Sequence, residues 1–491
     1  MSRLAKTAAI GVVLTLTQNV GTRAVAFLAQ LVLARLLMPD QFGLIGLVLS
    51  LNALVQPLMD FGIEDILMSR RKSLGLWLGP AYGLSISLGL LSALLLGLAG
   101  PVAAYIYKVP ELTGLLANMA LGAFLYGFSI VPDAKLRSDM RFDITSSYAL
   151  AEIVGVQGAT LVLAWAGCGA YAFVLPAPLA AATRAAVFYH LAPVDLRGGF
   201  RVSRWRCLLG RGMLVFAQRL LQTLREQGDF ILLGFVASPA TVGFYYLGYR
   251  LAAQPVYMLV RSLSAVLFPM LTNVRDDPRR QAAVAVRAAR MLGLLVTPAS
   301  FLLAAVAEPF ILLLFGPRWA PAVPYVQILS IGLAFDVLPG VTYALATARG
   351  LFRLQLALGA GATALFIASI LAGFAIAGAV GVAGGVAFYF MAVSIIYPAV
   401  VFRPLPDRFS VLTRLFIEPA ALAGIAIGAG AAAAAALPAE WLIGRIALTS
   451  LTGGLLYVAL AALFLRGFLW EIAAQFFGDA IPKRFTQRHP A

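Results

Sequence analysis

Fourteen apolar stretches, each long enough to cross a bilayer, follow one another along this chain with only short connections between them. A hydrocarbon core takes about 20 apolar residues of helix to cross. No water is available there, so each segment has to satisfy its own backbone hydrogen bonds. The expected spans are 9–36, 42–64, 76–99, 112–132, 146–167, 170–191, 211–236, 242–270, 288–315, 323–347, 354–376, 380–401, 415–437 and 443–465. With 61% hydrophobic and 12% charged residues, the chain is expected to be an all-α polytopic membrane protein. The first apolar run follows Arg3 and Lys6 as in a signal peptide. It continues well past an ordinary signal core, and no small-residue cleavage site stands out, so it is read as an uncleaved first span.

The net charge of +16 could suggest a nucleic-acid partner, but its placement points to topology instead. One side gathers the basic groups around Arg3, Arg70, Lys135, Arg204, Arg279, Arg349, Arg408 and Lys483. The other side holds only Arg35, Lys108, Arg318 and Arg445. The positive-inside rule then puts both termini in the cytoplasm and leaves no nucleic-acid role for the charge. Cys168 and Cys207 stand far apart, and His190 and His489 form no cluster, so neither a disulfide framework nor a metal is expected. The chain has no G-x-x-x-x-G-K-[ST] phosphate loop, which excludes ATP hydrolysis by that route. No cofactor is expected.

Shifting the chain by 200 residues brings Gln18 onto Gln218, Asn19 onto Arg219, Pro39 onto Pro239 and Gly43 onto Gly243. After a two-residue slip, Gln56–Pro57 falls on Gln254–Pro255. The repeated unit reads as a helix, a short P-x-x-x-G turn, and a helix broken at Gln-Pro. Weaker echoes join Gly100–Pro101 to Gly316–Pro317 and Pro132 to Pro339. Both copies enter from the same side, as in a parallel repeat. The expected organisation is a six-helix lobe at 1–195, a basic linker at 196–210, a second lobe at 211–405 and two extra helices within 406–466. A cytoplasmic tail follows at 467–491, and a central cavity lies between the lobes. Pro57, Pro132, Pro255, Pro298 and Pro339 are expected to mark kinks.

Charge at membrane depth is the second constraint. A central arginine costs about 2.5–3.5 kcal/mol on insertion scales, and Arg23, Arg184, Arg219, Arg225, Arg250 and Arg261 all fall within expected spans. On the helix from 211, Gln218, Gln222, Arg225 and Asp229 share a stripe, with Arg219 and Glu226 beside it. On the next helix Arg250, Gln254, Tyr257 and Arg261 share a face. Two polar faces with apolar backs point to the wall of a water-filled, positively charged space. The competing reading is pairing within the helix, Arg225 with Asp229 and Arg219 with Glu226. The candidate substrate-binding residues are Arg23, Arg219, Arg225, Arg250, Arg261, Gln222, Gln254 and Tyr257. Asp60, Asp229 and Asp336 are candidates for ion coupling. Asn19 and Asn52 stand where the second copy has Arg219 and Arg250, so the stronger anion-binding wall is expected on the second lobe.

The segments LARLLMPDQFGLIG (33–46), PDAKLRSDMRF (132–142), DFILLGFVASPATVGFYYLGYRLAAQP (229–255), LFGPRWAPAVPYVQIL (314–329) and ALATARGLFR (344–353) together resemble the Wzx-type flippases of the multidrug/oligosaccharidyl-lipid/polysaccharide superfamily. They cover most of the first ten spans in family order, and the C-terminal third adds little. The resemblance implies a two-lobed, alternating-access transporter in the bacterial inner membrane. It implies flipping of undecaprenyl-diphosphate-linked oligosaccharide to the periplasmic leaflet for lipopolysaccharide or exopolysaccharide synthesis, with coupling to a proton or sodium gradient left open. The partners are the lipid-linked substrate and membrane lipids, with a polysaccharide polymerase and export machinery as candidates. Arginine forks suit the diphosphate. Two alternatives stand beside this. One is a drug or cation antiporter of the same superfamily, for which an acidic cavity would be expected. The other is a membrane glycosyltransferase or polymerase, which would ordinarily carry a sizeable extramembrane domain that this chain lacks.

Overall fold

The computed structural model describes residue 21 and residues 25–70, 74–194, 202–273, 277–402 and 408–468. Side chains at a few of these positions, Tyr257 and Arg261 among them, lie outside the description. The described residues are helical, without a strand. In order they are α1 (Val25–Leu36), α2 (Pro39–Asp60), α3 (Ile63–Ser69), α4 (Gly75–Tyr107), α5 (Glu111–Gly127), α6 (Ile130–Ser138), α7 (Phe142–Trp165), α8 (Tyr171–Val174) and α9 (Pro176–Leu191). The second half carries α10 (Val202–Val236), α11 (Pro239–Asn273), α12 (Pro278–Ala305), α13 (Ala307–Leu314), a 3₁₀ segment at Pro317–Ala322, α14 (Val323–Leu333), α15 (Val337–Ala348), α16 (Phe352–Val401), α17 (Arg408–Ala435) and α18 (Leu442–Phe464). Nine described helices are long and apolar enough to cross a membrane, or ten if α5 and α6 form one bent span. The chain is a multi-pass membrane protein.

Punctuation in the sequence sets the helix boundaries. Pro39 and Pro239 open α2 and α11, where a missing N–H costs nothing. α2 is reinforced by the Met38 N–H donating to Gln41 Oε1 at 3.0 Å. α12 begins at a capping Asp277, whose carboxylate accepts from the amides of Arg279 and Arg280. The 50-residue α16 contains a break at Ala377–Gly378, with Gly378 at φ 58°. That break divides it where the sequence separates 354–376 from 380–401.

Three expectations change. The helices do not stop at Gln-Pro: Pro57 lies inside α2, and the break comes instead at Phe61–Gly62, both in the left-handed region. α11 runs on through Pro255. A proline removes one donor, and a helix interior can tolerate that when neighbouring helices meet the freed carbonyl. Gly100–Pro101 sits within α4, whereas Gly316–Pro317 opens the 3₁₀ segment, so these two are not counterparts. α10 already begins at Val202, inside the stretch read as linker. The echo of Pro132 in Pro339 does have a structural form. Each is the third residue of a short helix that follows a break, α6 after α5 and α15 after α14.

α2 is the central strut. Its 22 residues span about 33 Å. At its start it crosses α11 so closely that a Cβ on Gly43 would meet the Pro239 carbonyl, and one on Gly243 would meet the Pro39 carbonyl. The same end is tied down by the 3₁₀ segment. Trp319, fully buried, donates from Nε1 to Ala34 O at 2.9 Å and packs edge-on against Phe42 with centroids 5.1 Å apart. Arg318 Nη2 donates to Ala34 O at 2.8 Å, and Arg35 Nε donates to Leu314 O at 3.1 Å. Arg35 and Arg318, assigned to the same side by charge alone, thus meet at one end of the bundle.

Candidate functional site

α2 approaches α10 closely at Leu47, where a Cβ on Gly234 would meet its side chain. Farther along, the two helices line, together with α3, α5, α6, α7 and α9, a cavity of about 880 Å³. α2 presents Asn52, Gln56 and Asp60 to it, and α3 presents Glu64. Asp133 comes from α6, Glu152 and Gln157 from α7, and Arg219, Gln222 and Glu226 from α10. The volume falls within the range of small-molecule sites. Beyond the cavity α2 and α10 come together again. Phe61 stacks on Phe216 with centroids 4.8 Å apart, and a Cβ on Gly212 would meet the Phe61 carbonyl.

Two ion-pair groups shape the wall. In the first, Arg219 pairs through Nη1 with Asp60 Oδ2 and through Nη2 with Asp65 Oδ2, the latter at 2.8 Å. One guanidinium on α10 therefore holds two carboxylates flanking the Phe61–Gly62 break. In the second, charges alternate along a chain. Glu64 meets Arg137 Nη1 at 3.2 Å, and Arg137 Nε meets Asp133 at 3.0 Å. Arg184 Nη2 meets Asp133 at 2.8 Å, and Arg184 Nη1 meets Glu152 at 3.0 Å. Arg184 also lies over the Phe188 ring, 5.1 Å from its centroid. α3, α6, α7 and α9 are joined in this way.

The described wall is not the cationic surface expected. Its lining carries Asp60, Glu64, Asp133, Glu152 and Glu226 against Arg219. Burying an arginine favours the nearest acceptor, and Arg219, Arg225 and Arg184 have each found one. Arg225 turns away to α16, where Nη1 donates to Gly359 O at 3.0 Å and to Thr363 Oγ1 at 2.9 Å. Arg250 lies over the Tyr246 ring, 5.3 Å from its centroid. Neither Arg250 nor Gln254 is among the described lining residues. Arg23, and the side chains of Tyr257 and Arg261, fall outside the described residues. Of the candidate substrate residues, the structure brings Arg219 and Gln222 to the cavity. The expected pairs within α10 do not form either. Glu226 accepts from Gln222 Nε2 at 2.8 Å instead of meeting Arg219.

The three acids singled out for ion coupling separate into three environments. Asp60 is held by Arg219. Asp229 is 1% exposed and accepts from the Tyr245 hydroxyl and from the Phe230 amide, a sealed hydrogen-bonded role. Asp336 stands at the break between α14 and α15 without capping α15, with Arg225 and Glu226 as its charged neighbours. Sequence reasoning missed Asp133, Glu152 and Gln157 as cavity residues. The signal was present: Asp133 and Arg137 are one helical turn apart, and Glu152 and Gln157 interrupt an apolar span.

A family model described as a polysaccharide biosynthesis protein matches residues 32–324, more than half the chain. The chain belongs to the polysaccharide biosynthesis protein family. Among curated proteins of like sequence is the lipopolysaccharide biosynthesis protein WzxC of Escherichia coli K12, 24% identical over 361 residues, covering 72% of each chain. The succinoglycan biosynthesis transport protein ExoT of Rhizobium meliloti is 24% identical over 338 residues, covering 67% of this chain and 66% of its own length. In fold, the chain resembles the lipid II flippase MurJ in its inward closed conformation, with a TM-score of 0.73 at 12% identity, covering 95% of this chain and all of the other. The likeness to MurJ shows the fold, and the family model with these relatives places the chain in polysaccharide biosynthesis.

Proposed function

We propose that this protein moves undecaprenyl-diphosphate-linked oligosaccharide from the cytoplasmic to the periplasmic leaflet of the bacterial inner membrane, supplying lipopolysaccharide or exopolysaccharide synthesis. The observation that carries this reading is the cavity that α2, α3, α5, α6, α7 and α9 line together with α10, with amides and carboxylates on its wall, in a chain of the polysaccharide biosynthesis family. The two halves, 1–195 and 211–405, act as six-helix lobes that rock about the Gly43–Gly243 crossing in alternating access, with both termini in the cytoplasm. Contacts at either end of α2, Phe61 on Phe216 and Trp319 on Phe42, are the closures that such rocking would open in turn. Arg250, with Arg23 and Arg261, is assigned to the diphosphate, and Asp336 to coupling with a proton or sodium gradient. α17 and α18 sit outside the lobes. A polysaccharide polymerase and export machinery are the partners that would take the product.

The test is mass analysis of lipid-linked intermediates in a strain lacking the gene. Repeat units accumulate on the cytoplasmic face if the reading holds and return to normal on complementation. Unchanged pools with normal polysaccharide export would remove it. The acids on the cavity wall favour a second reading, a drug or cation antiporter of the same superfamily. Uptake of cationic dyes into vesicles that depends on this chain would support that one.

A further inference from the structure

The cavity's unpartnered amides and its surplus of carboxylates say more about its cargo, on the premise that it holds the glycan of a lipid-linked substrate. Asn52 and Gln56 on one wall and Gln157 on another make no hydrogen bond to any described residue. Each amide offers two donors and an acceptor, the complement of neighbouring sugar hydroxyls. Gln222 and Glu226 add a bonded amide–carboxylate pair opposite them. The charge is also set. Five described lining residues are acids, and Arg219, Arg137 and Arg184 are the arginines that pair with them. Glu226 has no arginine or lysine partner among the described residues. Arg219 is held on both nitrogens by Asp60 and Asp65 and has little charge left for a ligand.

We infer that this cavity binds the sugar portion of its substrate through Asn52, Gln56, Gln157, Gln222 and Glu226, and that its carboxylates select neutral or amino-bearing glycans over glycans carrying uronic acids. A carboxylate sugar entering here would meet like charge in a partly dry site. Such juxtaposition costs enough to discriminate between ligands of equal shape.

The test uses the full chain in lipid nanodiscs and two probes on the same polyprenyl diphosphate. One is a tetrasaccharide of neutral hexoses, and the other the same glycan ending in a glucuronate. The neutral probe should bind at least tenfold tighter. Glu226→Gln should narrow that ratio severalfold, and Gln56→Glu should widen it. Gln56→Glu keeps the test decisive should Glu226→Gln not fold. Equal binding, preference for the glucuronate, or no binding of either probe overturns the inference. The deletion-strain assay reads the flippase function independently. Accumulated intermediates with no neutral preference sink only the selectivity, whereas unchanged pools sink the function beneath it.

Discussion

Gly43 and Gly243 stand in a reciprocal relationship: each faces the carbonyl of the proline that opens the other's helix, Pro239 and Pro39 respectively. The colliding groups are backbone, which cannot step aside as a flexible side chain would. Overpacking of this kind typically costs about 1–3 kcal/mol. Gly43→Ala and Gly243→Ala should each lower the yield of folded protein and reduce polysaccharide export. The double variant should cost less than the sum, because one methyl already separates the helices. Gly97→Ala, at a position with open space around it, should leave both unchanged. Size-exclusion profiles from detergent-solubilised membranes would read the folded fraction.

Arg219 holds two carboxylates at once across the space between α2–α3 and α10. Its side chain is 37% exposed, so the stability at stake is small, on the order of 0–1 kcal/mol. The larger effect should fall on the transport cycle. Arg219→Ala is expected to reduce export at least tenfold while membrane levels persist, and Arg219→Lys, a point charge without the fork, to recover only part of it. Asp65→Ala should be milder than Asp60→Ala, because Asp65 is the more exposed partner. Full export by Arg219→Ala in a complementation assay would show that the latch has no part in the cycle.

The hydrophobic pattern made the helices legible because each span is a local property. Even the break at Ala377–Gly378 falls on a glycine. The P-x-x-x-G echo was legible too, since a proline opening a helix and a glycine one turn later is a local signature with a packing consequence. The site was less legible. Helical spacing put Arg219, Arg225 and Glu226 near one another on α10 but could not say which neighbour each would meet. Arg225 is satisfied by a carbonyl on α16, 134 residues away. Glu64, Arg137, Asp133, Arg184 and Glu152 come from four helices. Only tertiary packing brings such a chain of charges together, and it turned an expected cationic wall into one rich in carboxylates.

The separate surroundings of the three candidate coupling acids predict separate phenotypes. Tyr245→Phe would leave Asp229 short of a buried hydrogen bond, at a cost of about 1–3 kcal/mol. The result should be lower thermal stability with an unaltered gradient requirement. Asp336→Asn should instead weaken the response of transport to a collapsed proton or sodium gradient, with stability close to that of the parent. Proteoliposomes with imposed gradients would measure it. A gradient response lost in Tyr245→Phe and retained in Asp336→Asn would reverse the assignment.

Arg184 is the hub on which the second ion-pair group turns. It is 16% exposed at the side chain and holds Asp133, itself 8% exposed, together with Glu152 at 21%. Removing a buried partner leaves its counter-charges without compensation, which typically costs about 3–5 kcal/mol. Arg184→Ala strands Glu152 and leaves Asp133 to Arg137 alone, whereas Glu152→Gln leaves the guanidinium still bound to Asp133. Arg184→Ala is therefore expected to show the greatest loss of thermal stability among cavity variants, and Glu152→Gln well under half of it. Combining Arg184→Ala with Glu152→Gln should recover part of the loss, because the stranded charge goes with its partner. Thermal unfolding of the four proteins in detergent makes the comparison. If Glu152→Gln were as damaging as Arg184→Ala, or the double variant no better than Arg184→Ala alone, the penalty would not arise from stranded charge.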